Sequence, residues 1–211
     1  MALLGDPQDL ANAVAVDLGC GAGQAARFLS AHCRQVIGID LSFEQLAHGR
    51  TWFDSTPASL VQADACDLPL PTSSVDVLVS AFGVLAFVPD LDPVFAEISR
   101  VLTAHGSATL SMPHPIRWVF PDDPSAESLS VVNAYSDRSA YVEADSNGEA
   151  MYVECHHTLA DIMNSIARAH LRVERMWEPD WRADPAHVWG GWSSETVALV
   201  PRTLIVRLVP C

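Results

Sequence analysis

The segment Val14–Gln24, VAVDLGCGAGQ, restricts the fold more strongly than any other part of this chain. An apolar run of strand length contains Asp17 and leads into three alternating glycines, Gly19, Gly21 and Gly23, and a helical pattern follows at once. Glycine has no Cβ, so a ligand can come close to the backbone N–H groups of such a turn, at the positive end of the helix dipole. The segment therefore predicts a strand–loop–helix unit that binds a polar or anionic group.

The alternation of apolar strands and helical segments continues over residues 13–113. This pattern is typical of a parallel sheet that is covered by helices on both sides. One of these helices is expected to begin at Asp92, as its cap, and to end at Gly106. Later, a helix with a capping box of Thr158 and Asp161 precedes two strands that no helix separates, which favours antiparallel neighbours. We expect the α/β class: a doubly wound, Rossmann-like sheet of seven strands, mostly parallel, with the last strand antiparallel.

Residues 114–156 interrupt this pattern, because much of the segment is rich in Pro, Asp, Ser and aromatic residues and shows no helical period. A β-hairpin is predicted to turn on Asn147-Gly148, since that pair tolerates the positive φ angles of a tight turn. Irregular segments of this length inside a compact domain are usually functional. We therefore interpret residues 1–211 as one domain in which 114–156 is an insertion that covers the ligand end of the sheet.

Charge and composition exclude several classes of function. The formal net charge is −14, and the 12 cationic side chains are all Arg and are scattered, so no nucleic-acid partner is expected. No apolar stretch is long enough to span a membrane, and the N-terminus does not resemble a secretory signal. The five cysteines form no C-x-x-C pair, which favours reduced thiols, no metal site and a cytoplasmic location. We expect a small-molecule substrate and a monomer or a homodimer.

Asp40 ends the second predicted strand, where a carboxylate can accept both hydrogen bonds from a ribose diol. The glycine pattern is G-x-G-x-G, and Gln24 occupies the position of the third glycine of the dinucleotide fingerprint G-x-G-x-x-G. A ribose is therefore expected at Asp40. Gln24 and the later segment "QADA" argue against a nicotinamide-dependent oxidoreductase.

Taken in order, "VAVDLGCGAGQ", "VIGIDLS", "VQADACDLPLP", "VDVLVSAFGVLAFVPD" and "VLTAHGSATLSMPHP" resemble the class I S-adenosylmethionine-dependent methyltransferases over residues 13–113, and more loosely to the end. The runs "HPIRWVFPDDP", "YVECHH" and "WEPDW" resemble an actinobacterial subfamily of these enzymes. The resemblance implies S-adenosylmethionine as cofactor. The residues that it assigns to the methionine portion are Asp17, Gly19, Gly21 and Gly23; to the ribose and adenine, Asp40, Leu41, Asp64 and Ala65; and to the segment along the cofactor that faces the substrate, Ser80, Ala81 and Phe82.

Methyl transfer from a sulfonium is an in-line displacement, so the protein mainly aligns a nucleophile and excludes water. A general base is needed only for a protonated nucleophile, and His114 is the first candidate because it follows the fifth strand. The motifs typical of nucleic-acid methylation are missing after the fourth strand, which leaves a small-molecule acceptor. Candidate substrate contacts are Phe82, Arg117, Trp118, His156 and His157, and an aromatic wall is expected from Trp118, Tyr135, Tyr141, Trp181 and Trp192.

Each of these residues also has a purely structural alternative: His114 as a tie between insertion and sheet, Arg117 as a partner of the acidic loop, and the aromatic residues as core. The resemblance further implies a longer segment before the first strand and an Arg where this chain has Thr158. These departures leave a second hypothesis open. In it, the chain binds the cofactor or its demethylated product without turnover.

Overall fold

The structure, a computed structural model, describes residues 4, 7–50, 53, 58–125, 129–180 and 193–211. The strands of this part are β1 (Val14–Leu18), β2 (Gln35–Asp40), β3 (Ala58–Gln62), β4 (Val75–Ala81), β5 (Leu102–Pro113), β6 (Tyr141–Ala144), β7 (Ala150–Glu154), β8 (Leu171–Trp177) and β9 (Thr203–Pro210). The helices are α1 (Pro7–Leu10), α2 (Gln24–Ser30), α3 (Phe43–Gly49), α4 (Asp92–Val101), α5 (Leu159–Arg168) and α6 (Ser194–Val197), with a 3-10 helix over Pro115–Val119.

Seven strands form one sheet in the order β3-β2-β1-β4-β5-β9-β8, and β6 and β7 form a separate two-stranded sheet. The first five strands of that order pair in parallel. Strand β9 lies antiparallel between β5 and β8. The predicted doubly wound, mostly parallel sheet with an antiparallel last strand is confirmed.

The inner strands, such as β1, β4 and β9, are buried on both faces, which explains why they read as continuous apolar runs. Along β4, Leu78 packs into a cluster that includes Phe95 of α4 and Ile166 of α5. The neighbouring Val77 points to the other face and joins a cluster with Leu29 of α2. Two helical layers therefore enclose the strands whose carboxyl ends carry the predicted site.

Helix α4 differs from its prediction at both ends. Its first residue is Asp92, so Asp92 is not the cap; the Asp92 carboxylate instead accepts hydrogen bonds from Ser165 and Arg168 of α5. The helix ends at Val101, and the chain turns directly into β5. The register then slips between the pairs Val75–Leu102 and Val77–Ser107, so the stretch up to Gly106 belongs to an irregular strand and not to the helix.

The predicted hairpin is present as β6 and β7, but its loop is longer than a two-residue turn. Gly148 has φ +83°, whereas Asn147 is not in the left-handed region. The Asp145 carboxylate accepts hydrogen bonds from the N–H groups of Asn147 and Glu149, and this bonding holds the loop. At the start of α5, the predicted capping box of Thr158 and Asp161 is confirmed.

Candidate functional site

The glycine loop between β1 and α2 has the left-handed backbone that its sequence predicts. Gly19, Gly21 and Gly23 have φ values of +69°, +53° and +87°. A Cβ on Gly19 would lie 2.5 Å from the Gly83 carbonyl oxygen, and one on Gly23 would lie 2.6 Å from the Phe53 ring. These two glycines are required by packing within the protein. At Gly21, however, a Cβ would meet no described atom closer than 3.8 Å, so this glycine presents the open face of the loop.

Asp40 closes the other side of this loop from the end of β2. One carboxylate oxygen accepts the N–H of Gly21 at 2.7 Å, and the other accepts the N–H of Ser42 at 2.8 Å. Each carboxylate oxygen has two lone-pair directions, so this bonding fixes the side chain and leaves acceptor capacity for further donors. The predicted ribose contact thus has a fixed carboxylate next to the glycine loop.

Asp17 is buried under the loop. Its carboxylate accepts the N–H of Ala26 in the first turn of α2 at 2.6 Å. The pKa of Asp17 is raised to about 6, chiefly by burial; the Ala26 N–H opposes this shift, and the nearby Asp40 charge adds to it. In this geometry Asp17 positions the loop and the start of the helix.

The predicted adenine contacts lie beside Asp40, because the N–H of Ala63 donates to the Asp40 carbonyl and the Gln62 side chain donates to the Leu41 carbonyl. Asp64 is exposed, and its carboxylate accepts the N–H of Cys66, which forms a turn that also places Ala65. The Leu41 side chain is 67% exposed, an apolar surface at the rim of this site.

Residues 82–86, which follow β4, connect this site with the insertion. Ser80 is buried at the end of β4, and its hydroxyl has no hydrogen-bond partner in the part of the chain that the structure describes. Phe82 has φ +58°, a conformation that costs backbone energy in residues other than glycine. The backbone of Gly83 then lies against Gly19.

Two adjoining cavities lie beyond this connection, beside the end of β5. An inner cavity of about 40 Å³ is lined by residues of the 82–86 connection, by the segment after β5 and by the end of the hairpin, including Leu85, Ala86, His114, His156 and His157. An outer cavity of about 560 Å³ is lined mainly by the insertion, including Trp118, Phe120, Tyr141, Tyr152 and Glu154. The outer volume is in the range of pockets for small organic ligands.

His114, the first candidate for a general base, has both ring nitrogens engaged. Its Nδ1 accepts the N–H of Ile116 at 3.1 Å, and its Nε2 lies 3.0 Å from a Glu178 carboxylate oxygen. Burial lowers the pKa of His114, and Glu178 opposes that shift. This bonding caps the 3-10 helix and does not favour proton abstraction, so the base assignment of His114 stays a prediction.

His156 and His157 point in different directions. His156 Nε2 lies 2.8 Å from the Tyr135 carbonyl oxygen, and His157 Nε2 lies 2.8 Å from that of Val88. A ring nitrogen facing a carbonyl must carry the proton, so in the neutral form Nδ1 of each ring bears the lone pair. The His156 ring is also stacked on Trp118, with 4.8 Å between centroids and 9° between planes.

The aromatic wall is present in part. Trp118 and Tyr141 line the outer cavity, and Tyr152, which the sequence analysis missed, joins them. Tyr135 lies edge-on to His156. Trp181 and Trp192 lie outside the described residues.

Three further residues were missed. Gly83 contacts the glycine loop, and the buried Glu154 lies 3.7 Å from Arg117. Arg202 is buried beside Phe120. Gly83 could have been found in "SAFGVLAF", since it follows the fourth strand directly, but Glu154 and Arg202 are single charged residues in segments without a motif.

Within the described ranges, no group of three or more His, Cys, Asp or Glu side chains is placed to hold a metal ion. Nor do those ranges contain a helix that is long and apolar enough to cross a bilayer. All five cysteines have free thiols.

Comparisons with known proteins agree with this geometry. Residues 16–110 match a family model described as a methyltransferase domain. A probable S-adenosylmethionine-dependent methyltransferase of Mycobacterium tuberculosis is 35% identical over 101 residues, covering 48% of this chain and 36% of that protein. A malonyl-(acyl-carrier protein) O-methyltransferase of Methylovorus is 30% identical over 176 residues, covering 75% of this chain and 58% of that protein.

The fold comparison extends over the whole chain. A candidate S-adenosylmethionine-dependent methyltransferase of Listeria monocytogenes has a crystal structure that superposes with a TM-score of 0.81. The superposition covers 100% of this chain and 94% of that one at 20% sequence identity, so it supports the fold. The chain spans only 36% and 58% of the lengths of the two curated relatives named above.

Proposed function

Because this chain belongs to the class I S-adenosylmethionine-dependent methyltransferases, we propose that it transfers a methyl group from S-adenosylmethionine to a small-molecule acceptor. The observation that carries the proposal is the connection over residues 82–86. Its Gly83 lies against the glycine loop, and its Leu85 and Ala86 line the inner cavity. A cofactor at the loop and an acceptor in the cavities would therefore meet along one short segment.

The residues at the glycine loop fit the cofactor. Gly21 leaves open space above the loop, and Asp40 keeps acceptor capacity for the two ribose hydroxyls. Leu41 offers an exposed apolar side chain to the adenine, next to the turn at Asp64. Ser80 adds a buried hydroxyl that has no hydrogen-bond partner among the described residues, as expected of a group that bonds to a ligand.

S-adenosylmethionine supplies a methyl group that its positive sulfur already activates. What the protein must add is alignment and the exclusion of water. The insertion contributes to the exclusion of water, since Trp118, Tyr141 and Tyr152 line the outer cavity. If the attacking atom carries a proton, Nδ1 of His156 or His157 at the inner cavity is a better acceptor than His114, because neither Nδ1 has a hydrogen-bond partner among the described residues.

We further infer a cytoplasmic protein that acts as a monomer or a homodimer on a small molecule and not on nucleic acid. The five free thiols suit a reducing compartment. The formal charge of −14 opposes binding to a phosphate backbone.

Calorimetric titration with S-adenosylmethionine and S-adenosylhomocysteine tests the cofactor site. We expect micromolar binding to the wild-type protein and a loss of about ten- to hundredfold in affinity in Asp40→Asn, because the amide removes a charged acceptor. The matched control is Asp76→Asn. Asp76 also accepts a backbone N–H, that of Val14 at 2.9 Å, but it lies at the opposite, amino end of the strands.

An unchanged affinity in Asp40→Asn, or no binding to the wild-type protein, would contradict the proposal. Release of S-adenosylhomocysteine in the presence of a panel of small acceptors then tests turnover. Tight binding without release for any acceptor would instead support the non-catalytic hypothesis.

A further inference from the structure

Arg202, which precedes β9, is an unusual side chain. It is 1% exposed, and Nε, Nη1 and Nη2 all lack a hydrogen-bond partner within the described ranges. Its contact is with the Phe120 ring, whose centroid lies 5.9 Å from the guanidinium carbon. A buried charge without hydrogen bonds is costly, and such groups usually mark a missing ion, water or ligand.

Arg117 provides a second guanidinium with unused donors. It projects from the 3-10 helix into both cavities, and its side chain is 19% exposed. Its ion-pair distances are 3.5 Å to Asp122 and 3.7 Å to Glu154, longer than direct hydrogen bonds. Arg117 therefore keeps the planar set of N–H donors with which arginine binds carboxylates in a bidentate manner.

The two guanidinium groups belong to one region. Burial lowers the pKa of Arg202, and the charge of Arg117 lowers it further. Phe120 lines the outer cavity, and its ring is in contact with the Arg202 guanidinium. The backbone also joins the two segments that carry these arginines. The N–H of His114, which lies three residues before Arg117, donates to the Arg202 carbonyl.

We propose that Arg117 and Arg202 form a subsite for a carboxylate group of the acceptor. Arg117 makes the contact that is open in this structure, and a turn of the Phe120 ring admits the anion to Arg202. The apolar or aromatic body of the acceptor then packs against Trp118, Tyr141 and Tyr152 in the outer cavity. This inference rests on the proposed function, since it names the class of molecule that the methyltransferase would take: small organic acids.

The acidic side chains of the same cavity limit the charge of this ligand. Asp122, Glu143 and Glu154 also line it. Tyr141 donates its hydroxyl to Glu143, and Tyr152 donates to Glu154, so two of these carboxylates are held in place. A dianionic phosphate would be repelled more strongly than a single carboxylate, since like charges repel in a poorly solvated site.

The test uses the protein saturated with S-adenosylhomocysteine, so that no turnover occurs. The probes are benzoate, its neutral isostere benzamide, and phenyl phosphate, each followed by calorimetry and by thermal unfolding. The variants are Arg202→Met and Arg117→Met, which keep the length of the side chain without its charge. Arg172→Met is the control, because Arg172 is exposed on β8, away from both cavities.

We expect benzoate to bind at least about tenfold more tightly than either other probe and to lose about tenfold or more in affinity in both cavity variants. Arg172→Met should behave as the wild-type protein. Without a probe, Arg202→Met should melt at a higher temperature than the wild-type protein, because the change removes a buried charge that lacks a partner. If Arg202 instead stabilised the fold, Arg202→Met would melt at a lower temperature than the wild-type protein.

Several results would overturn the subsite: equal binding of benzoate and benzamide, tighter binding of phenyl phosphate, unchanged benzoate affinity in both cavity variants, or a lower melting temperature of Arg202→Met. The affinity for S-adenosylhomocysteine, measured in the same samples, separates this failure from failure of the proposed function. If that affinity is intact while benzoate fails, only the carboxylate subsite is wrong. If the wild-type protein does not bind S-adenosylhomocysteine, the methyltransferase proposal fails, and the benzoate titration without it still tests the subsite.

Discussion

The two halves of the candidate site are built in different ways. At the cofactor edge, by which we mean the glycine loop and the ends of β2 and β3, partners are close in sequence. Asp17 and Ala26 are 9 residues apart, and Gly21 and Asp40 are 19 apart. Many hydrogen bonds within the insertion, residues 114–156, are also local, but the bonds that join it to the rest of the molecule are remote in sequence. His157, directly after the insertion, contacts the carbonyl of Val88, 69 residues away.

This difference shows how each half obtains its rigidity. The cofactor edge is part of the buried sheet, and its polar groups hold one another through the backbone. The hairpin of the insertion is exposed along most of both strands, and a two-stranded hairpin of this kind is marginally stable by itself. Its position depends on ties such as the Cys155 N–H to the Ala86 carbonyl. The cofactor edge should therefore be a stable platform and the insertion a part that opens more easily.

Native-state hydrogen exchange should give the largest contrast between the two halves. Amides of β1 and β4 open only with the whole sheet, whereas amides of β6 and β7 can open with the hairpin alone. We expect protection to differ by about a thousandfold or more, which corresponds to roughly 4 kcal/mol. Equal protection would mean that the insertion unfolds together with the core and would remove the contrast.

Two glycines that share a positive φ test the same contrast by mutation. Gly19 and Gly148 both have positive φ, but a Cβ would strike Gly83 at Gly19 and would meet nothing within 4 Å at Gly148. Gly19→Ala should lower the free energy of unfolding by about 2–4 kcal/mol, from strain and overpacking together. Gly148→Ala should lower it by about 1 kcal/mol, from strain alone. Urea unfolding measures both, and equal losses would show that the Gly19–Gly83 contact is dispensable.

Asp17 makes the stability of the cofactor edge depend on pH. Its pKa is raised from 3.8 to about 6 by burial, so the folded state holds this proton more tightly than the unfolded state does. The stabilising contribution is present in full below pH 3.8 and is lost as the pH rises through 6. Asp17→Asn can still accept the Ala26 N–H and has no charge to bury. From pH 4 to pH 7.5, the free energy of unfolding of Asp17→Asn should therefore rise by about 2–3 kcal/mol relative to that of the wild-type protein.

Denaturant unfolding of both proteins at several pH values measures that gain. Asp40→Asn is a useful second comparison, since the Asp40 charge adds to the shift of Asp17. A constant difference between Asp17→Asn and the wild-type protein at every pH would contradict the raised pKa.

The same difference explains which features of the fold and the site could be predicted from the sequence. The strands, the glycine loop and the position of Asp40 could be predicted because apolar periodicity and glycine spacing are local properties of a strand–loop–helix unit. Even there, the sequence could not separate Gly21, which faces open space, from Gly19 and Gly23, which serve packing. That distinction depends on Gly83 and Phe53, which lie in later loops.

The insertion was less predictable because its chemistry depends on remote partners. His114 follows the end of a strand, as a ligand-facing residue would, but Ile116 and Glu178 engage both ring nitrogens. Arg202 stands outside every motif, and only folding brings it behind Phe120. The predicted end of α4 was wrong for a related reason, because pairing of Leu102 with Val75 in the sheet takes precedence over helix formation.

The smallest effect is expected from a substitution within the insertion, at Trp118, and it concerns the pKa of His156. Burial lowers the pKa of His156, whose ring is stacked on Trp118, so the protein loses stability as the pH falls below 6.5. Trp118→Ala should let water reach the ring and move the pKa of His156 up toward its ordinary value, whereas Trp118→Phe should keep most of the shift. Trp177→Ala, on β8, is the control. Proton NMR of the histidine rings follows these titrations, and an unchanged His156 in Trp118→Ala would show that contacts such as those with Tyr135 suffice to bury it.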